Sequence, residues 1–143
     1  LIFSELLFVY GTLMSGFSAH TLLKDAHFVA HGVLYGAKLL HVEDKFPAVI
    51  DGEGKVFGEV YRVETFTLKA VDIFEGFYEE FPENSFYLRE KRPIRLIPYG
   101  DFVEAWVYIL NPRFLGSLKF TEIPFGSWRE FVSKLVYYLR LKF

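Results

Sequence analysis

Apolar runs of strand length, each ended or interrupted by glycine, open this chain, and they constrain its fold more tightly than any other feature. Leu6-Leu7-Phe8-Val9-Tyr10 stops at Gly11, and the mostly apolar stretch from Ala26 to Leu40 is broken by Gly32 and Gly36. A short buried run of this kind reads as a strand, and a glycine inside one marks a bulge or a tight bend, as at the corner of a barrel. Composition points the same way. With 17 Phe, 9 Tyr and 2 Trp the chain favours strands and a bulky core. A length of 143 residues and 52% hydrophobic content suit one core and one domain over 1–143, and no repeat or linker is visible.

Further elements follow from local chemistry. Gly11 and Gly16 bound a loop, and Ser18 to Leu23 fit one or two helical turns. Phe46–Ile50 and Val56–Val63 flank Asp51-Gly52-Glu53-Gly54, which predicts a hairpin with an Asp-Gly turn. Thr65 is placed to cap a helix from Phe66 to Glu75, with Leu68, Val71 and Phe74 toward the core and Gly76 as its left-handed stop. An acidic, aromatic loop from Phe77 to Asn84 leads to two strands, near Phe86–Leu96 and Val103–Leu110, with Pro93 marking an edge or a bulge. At the end, Ser127 and Glu130 are spaced as a capping box. They open an amphipathic helix to Leu141, whose stripe of Trp128, Phe131, Leu135 and Leu139 predicts packing on the chain's own barrel. Whether this helix covers the barrel or forms the contact of a homodimer is left open by its pattern.

Several function classes are excluded or disfavoured. A net charge of −2 with no basic stripe argues against nucleic-acid binding, despite the abundant aromatics. With no cysteine, thiolate catalysis, disulfides and Cys-bound zinc drop out. His27 and His31 have a ligand-like spacing only if helical, and their segment reads as strand, so no metal is expected. No apolar run reaches the ~18–20 residues that span a bilayer, and Leu1–Leu6 carries no basic region of a signal peptide. A cytoplasmic, soluble protein without membrane contact is therefore expected. No Gln, two Asn and one Met suggest a hot source.

Three constellations remain as places for chemistry. Tyr10-Gly11-Thr12-Leu13 runs from a strand into a glycine turn, which can leave successive backbone N–H groups convergent and free to bind a carboxylate or oxyanion. Glu75 ends a predicted helix among Phe74, Phe77, Tyr78 and Phe81. The negative helix terminus and apolar neighbours both raise its pKa, so it is either a proton shuttle or simply a solvated glutamate. In Tyr87-Leu88-Arg89, alternation puts Tyr87 and Arg89 on one strand face, lining a polar pocket or forming a surface pair.

In order along the chain, these pieces resemble the γ-glutamylcyclotransferase-like family, especially its γ-glutamylamine cyclotransferase branch. The residues that carry the resemblance begin with Phe8–Leu13, Gly32–Tyr35 and Phe46–Val49, continue with Val56–Tyr61 and Asp72–Gly76, and end with Tyr87–Arg89 and Ala105–Tyr108. The last thirty or so residues carry no family signature. The resemblance implies an α+β fold, a compact mixed β-barrel with a few short helices, to which the C-terminal amphipathic helix is an addition. It implies a cofactor-independent enzyme that acts on a small γ-glutamyl compound. In that reaction the α-amino group attacks the γ-carbonyl, closing 5-oxoproline and expelling an amine. Glu75 would be the acid/base residue and Tyr10, Gly11, Thr12 and Leu13 the anion-binding loop, with Tyr78, Tyr87, Arg89 and Tyr108 lining the pocket. The acidic segment from Phe77 to Asn84 is unexpected beside an anionic substrate. Two other readings stay open: removal of a γ-glutamyl protecting group during biosynthesis, and a barrel that binds a small anion or a partner without turnover.

Overall fold

The computed structural model describes residues 4–142. Its frame is a closed barrel of five strands: β1 (Ser4–Val9), β2 (His27–Val42), β3 (Phe46–Glu64), β4 (Tyr87–Ile97) and β5 (Phe102–Leu110). The strands run β3-β1-β5-β4-β2, and β2 pairs back onto β3 to close the ring. All neighbours are antiparallel except β1 and β5, which run parallel with Leu7 opposite Trp106. Closure removes the exposed edges that a five-strand sheet would otherwise carry. A sixth strand, β6 (Phe120–Ile123), adds to the outer end of β2. The helices are α1 (Thr65–Glu75) and α2 (Trp128–Lys142), with 3₁₀ turns at Ser18–Leu23, Pro82–Asn84 and Pro112–Ser117.

β2 and β3 are long because they serve twice, first in the barrel and then as a ribbon beyond it. The predicted hairpin at Asp51–Gly54 is therefore wrong: β3 runs unbroken through it, with Asp51 opposite Ala37 and Lys55 opposite Tyr35. Neither Gly52 nor Gly54 has a positive φ. They serve close approach instead, since a Cβ on Gly54 would lie 2.8 Å from the Ala37 carbonyl oxygen. The turn sits earlier, at Glu43-Asp44, where φ is 51° and 55° and Lys45 N–H donates to the Val42 carbonyl at 2.9 Å. Two consecutive left-handed residues make a tight turn whose twist matches that of the flanking strands. Of the two glycines expected to bend β2, Gly36 does so, at a register shift with φ 72°. Gly32 instead lets Ile94 pack against the strand. Pro93 lies in register with Glu104 on β5, beyond the short β2 ladder at Arg95–Ile97, so it occupies an edge and not a bulge.

In α1, Leu68 and Val71 are buried as their spacing requires, whereas Phe74 is 51% exposed. Thr65 is the first helical residue and Glu64 the cap, with no side-chain capping bond. Gly76 ends the helix at φ 68°, its N–H directed to the Asp72 and Ile73 carbonyls. Glycine tolerates this left-handed geometry at no steric cost. At the start of α2, Ser127 Oγ accepts from Glu130 N–H at 3.1 Å, and Trp128 is buried. The expected packing holds through Phe131 and then stops. Leu135 and Leu139 are 47% and 52% exposed, because the helix leaves the barrel after Phe131 and Val132. Among the described residues no helix is long and apolar enough to cross a membrane.

Candidate active site

One end of the barrel opens into a cavity of about 350 Å³ at which β1, β3, β4, β5 and the last turn of α1 meet. The volume is that of a small-metabolite site. β1 delivers Tyr10 and then turns at Gly11, where Met14 N–H donates to the Gly11 carbonyl at 3.0 Å. That turn leaves the Thr12 and Leu13 amides without a protein acceptor among the described residues. α1 brings Glu75 to the wall, and β4 and β5 contribute Tyr87 and Tyr108. Phe46, Pro47 and Phe86 make the apolar sides, while the exposed Ile73 and Phe74 stand at the mouth.

The hydroxyl hydrogens of the three tyrosines are spent on the frame. Tyr10 donates to the Tyr108 carbonyl at 2.7 Å, Tyr87 to the Pro47 carbonyl at 2.7 Å, and Tyr108 to Asp72 Oδ1 at 2.6 Å. Burial holds all three phenols above their ordinary pKa, so they stay neutral. Glu75 differs. Its carboxyl makes no hydrogen bond or ion pair with the described residues, and burial alone pushes its pKa up from 4.5 to about 7. Among the described residues no Lys, Arg or His lines the cavity.

Two of the residues singled out in the sequence stand elsewhere. Arg89 lies between the rings of Phe77 and Trp106, 5.2 and 4.3 Å from its guanidinium carbon, with its Nε 2.8 Å from Asp72 Oδ1. Strand alternation does give it the face of Tyr87, but two residues further on it meets α1, and the buried Asp72 takes it. The side chain of Tyr78 is exposed, and it is the backbone that is engaged: its N–H donates to Ser85 Oγ at 2.7 Å and its carbonyl accepts from Phe81 N–H at 3.0 Å. The sequence reading missed Asp72, whose signal was its place one helical turn before Glu75. It also missed Pro47, whose closeness to Gly11 no local pattern announces. Among the described residues no cluster of three or more His, Cys, Asp or Glu is arranged to hold a metal ion.

Gly11 is required by that closeness: a Cβ there would lie 2.5 Å from Pro47 Cγ. Gly11→Ala is expected to cost about 1–3 kcal/mol through overpacking. This should lower Tm by roughly 5 °C in a thermal melt. An unchanged Tm would mean that the loop and Pro47 yield freely.

A family described as "Gamma-glutamyl cyclotransferase, AIG2-like" matches residues 7–130, further along the chain than the sequence resemblance reached. A protein of Methanocaldococcus jannaschii, provisionally named a gamma-glutamylcyclotransferase, is 34% identical over 130 residues, covering 89% of this chain and 98% of its own. The gamma-L-glutamyl-butirosin B gamma-glutamyl cyclotransferase of Niallia circulans is 26% identical over 130 residues, covering 91% and 79%. A crystal structure from Pyrococcus horikoshii shares the fold with a TM-score of 0.68 at 22% identity, over 93% of this chain and 97% of that one. The chain belongs to the AIG2-like gamma-glutamyl cyclotransferase family.

Proposed function

We propose that the protein converts a γ-glutamyl amine into 5-oxoproline and the free amine by intramolecular attack, with Glu75 moving the protons. One observation carries this reading: a carboxyl group poised near neutrality shares a small cavity with two backbone amides, and none of the three has a hydrogen-bond partner among the described residues. In this reading the Thr12 and Leu13 N–H groups hold the substrate's α-carboxylate, since among the described residues no cationic side chain lines the cavity. The α-ammonium and γ-carbonyl then share the remaining space with Glu75. Ionised Glu75 takes a proton from the ammonium, and the freed amine attacks the γ-carbonyl carbon. A C–N bond forms, the carbonyl becomes a tetrahedral oxyanion, and its collapse breaks the bond to the leaving nitrogen. Two protons pass from the attacking to the leaving nitrogen, so Glu75 carries one, releases it and carries the second. The products are the lactam and an ammonium ion. Because nucleophile and electrophile are tethered, orientation alone supplies an effective molarity of about 10⁵–10⁸ M. The reaction calls for no cofactor.

The lining also bears on the leaving group. A γ-glutamyl amino acid would bring a second carboxylate into a cavity whose described lining holds no cation, at a desolvation cost. An amine without a carboxylate meets only the apolar mouth at Ile73 and Phe74. The test is 5-oxoproline release from γ-glutamyl alkylamines, γ-glutamyl-ε-lysine, γ-glutamyl amino acids and glutathione. Turnover of the alkylamines ahead of the amino acids is expected, and release from none of them would sink the proposal.

The pH dependence is set by Glu75, which must be ionised to accept the first proton. With its pKa raised to about 7, kcat/KM should fall about tenfold per pH unit below 7 and level off above it. An acid limb near 4.5 would mean that the base is an ordinary solvated carboxylate.

A further inference from the structure

We infer that Glu59 and Arg129 are positioning residues that clamp the Gly11–Phe17 loop in its binding conformation, making the first turn of α2 part of the site's frame. This rests on the assignment of the Thr12 and Leu13 amides to the substrate. Glu59 lies on β3 between Val9 of β1 and His31 of β2, and its side chain is only 6% exposed. A carboxylate so buried needs partners. Its Oε1 accepts from Ser15 N–H at 2.8 Å and from the Tyr61 hydroxyl at 3.1 Å, and its Oε2 lies 3.4 Å from Arg129 Nη2. The same Nη2 donates to the Ser15 carbonyl at 2.6 Å. One ion pair therefore takes both backbone groups of Ser15, two residues beyond Leu13.

The guanidinium also covers the Phe17 ring, 5.0 Å from its centroid. At the other end, the Tyr10 hydroxyl fixes the loop to β5, and His20 Nδ1 lies 2.8 Å from the Leu13 carbonyl. Thr12 and Leu13 thus hang between two fixed ends. Arg129 is itself held in place, because the neighbouring Trp128 is buried against His41 and Phe131 and Ser127 caps the helix. An exposed ion pair would contribute little. This pair differs in that one partner is buried and both bind the backbone of a functional loop.

Releasing the clamp lowers the fraction of enzyme with a binding-competent loop, which raises apparent KM in proportion and leaves the bound complex unchanged. Arg129→Ala is expected to raise KM about tenfold with kcat within about twofold, and to speed hydrogen exchange of the Ser15 amide about tenfold. Arg129→Lys keeps a charge at the site and should restore part of both. Glu59→Gln keeps an acceptor for Ser15 but loses the charge that holds Arg129, so it should shift both in the same direction by less, and it serves if the alanine variant does not fold. Unchanged Ser15 exchange in these variants would overturn the clamp, as would a fall in kcat at constant KM. Faster Ser15 exchange with an unchanged KM would uphold the clamp and overturn the assignment of the loop to the substrate.

Discussion

Replacing Glu75 with glutamine is expected to lower kcat about 10²–10⁴-fold while KM stays within about threefold. The range is that of a positioned general acid/base. Glutamine keeps the shape of the side chain and cannot carry a proton between the two nitrogens. Binding should survive, because the Thr12 and Leu13 amides that receive the α-carboxylate in this reading belong to another element. Stability should survive as well, since Glu75 makes no protein hydrogen bond or ion pair among the described residues that glutamine would break. The sign of the pH effect sharpens the test. A carboxyl whose pKa is about 7 folded and near 4.5 unfolded binds more protons in the native state between those values. Its contribution to stability is therefore present at low pH and lost as pH rises through that window. Glu75→Gln has no charge to bury, so its Tm should equal or exceed that of the native protein at pH 8, with the advantage fading at pH 5. Full turnover by the variant would end the assignment. Lost turnover together with a much lower Tm would point to a structural role for Glu75. A protein that only binds an anion would show neither the loss of turnover nor the acid limb near pH 7.

What could be read in advance was what local chemistry decides. Leu6–Tyr10 ends in Gly11 because a strand must turn there, and Glu75 precedes Gly76 because a left-handed residue stops the helix. Both assignments use neighbours in sequence, and both place the residues that the family resemblance marks for function. The hairpin failed for the opposite reason. Asp51-Gly52 has the composition of a turn, yet its conformation is set by β2 lying alongside, and the ribbon turns at Glu43-Asp44, where no glycine marks the left-handed backbone. Arg89 was misplaced because alternation gives the face of a strand but not what packs on that face, here Asp72 of α1. For α2, the stripe from Trp128 to Leu139 predicts an apolar face but not how much of it the barrel is long enough to cover. The clamp at Ser15 joins a loop, a strand and the last helix, and no spacing in the chain could reveal it.

Arg89→Met should produce the largest loss of stability of any single change proposed here, about 3–5 kcal/mol, or roughly 10 °C in Tm. Arg89 and Asp72 are 8% and 11% exposed at their side chains, and the arginine is stacked between Phe77 and Trp106. Methionine retains much of the apolar stem and volume between those rings. What it removes is the cation facing Asp72, leaving a buried carboxylate with the Tyr108 hydroxyl as its hydrogen-bond donor. Burial already raises the Asp72 pKa, and Tyr108 and Arg89 counteract that rise. Without Arg89 it must climb further. A carboxyl with a raised folded pKa favours the native state at low pH and costs stability as pH rises past its unfolded value near 4. The Tm loss in Arg89→Met should accordingly be smaller at pH 5 than at pH 8. The decisive measurement is the double variant Arg89→Met with Asp72→Asn, in which Tyr108 still has an oxygen to donate to and no charge is left unpaired. Recovery of most of the lost Tm would assign the penalty to the stranded carboxylate. A double variant as unstable as Arg89→Met alone would assign it to the stacking of the guanidinium on Trp106 and Phe77.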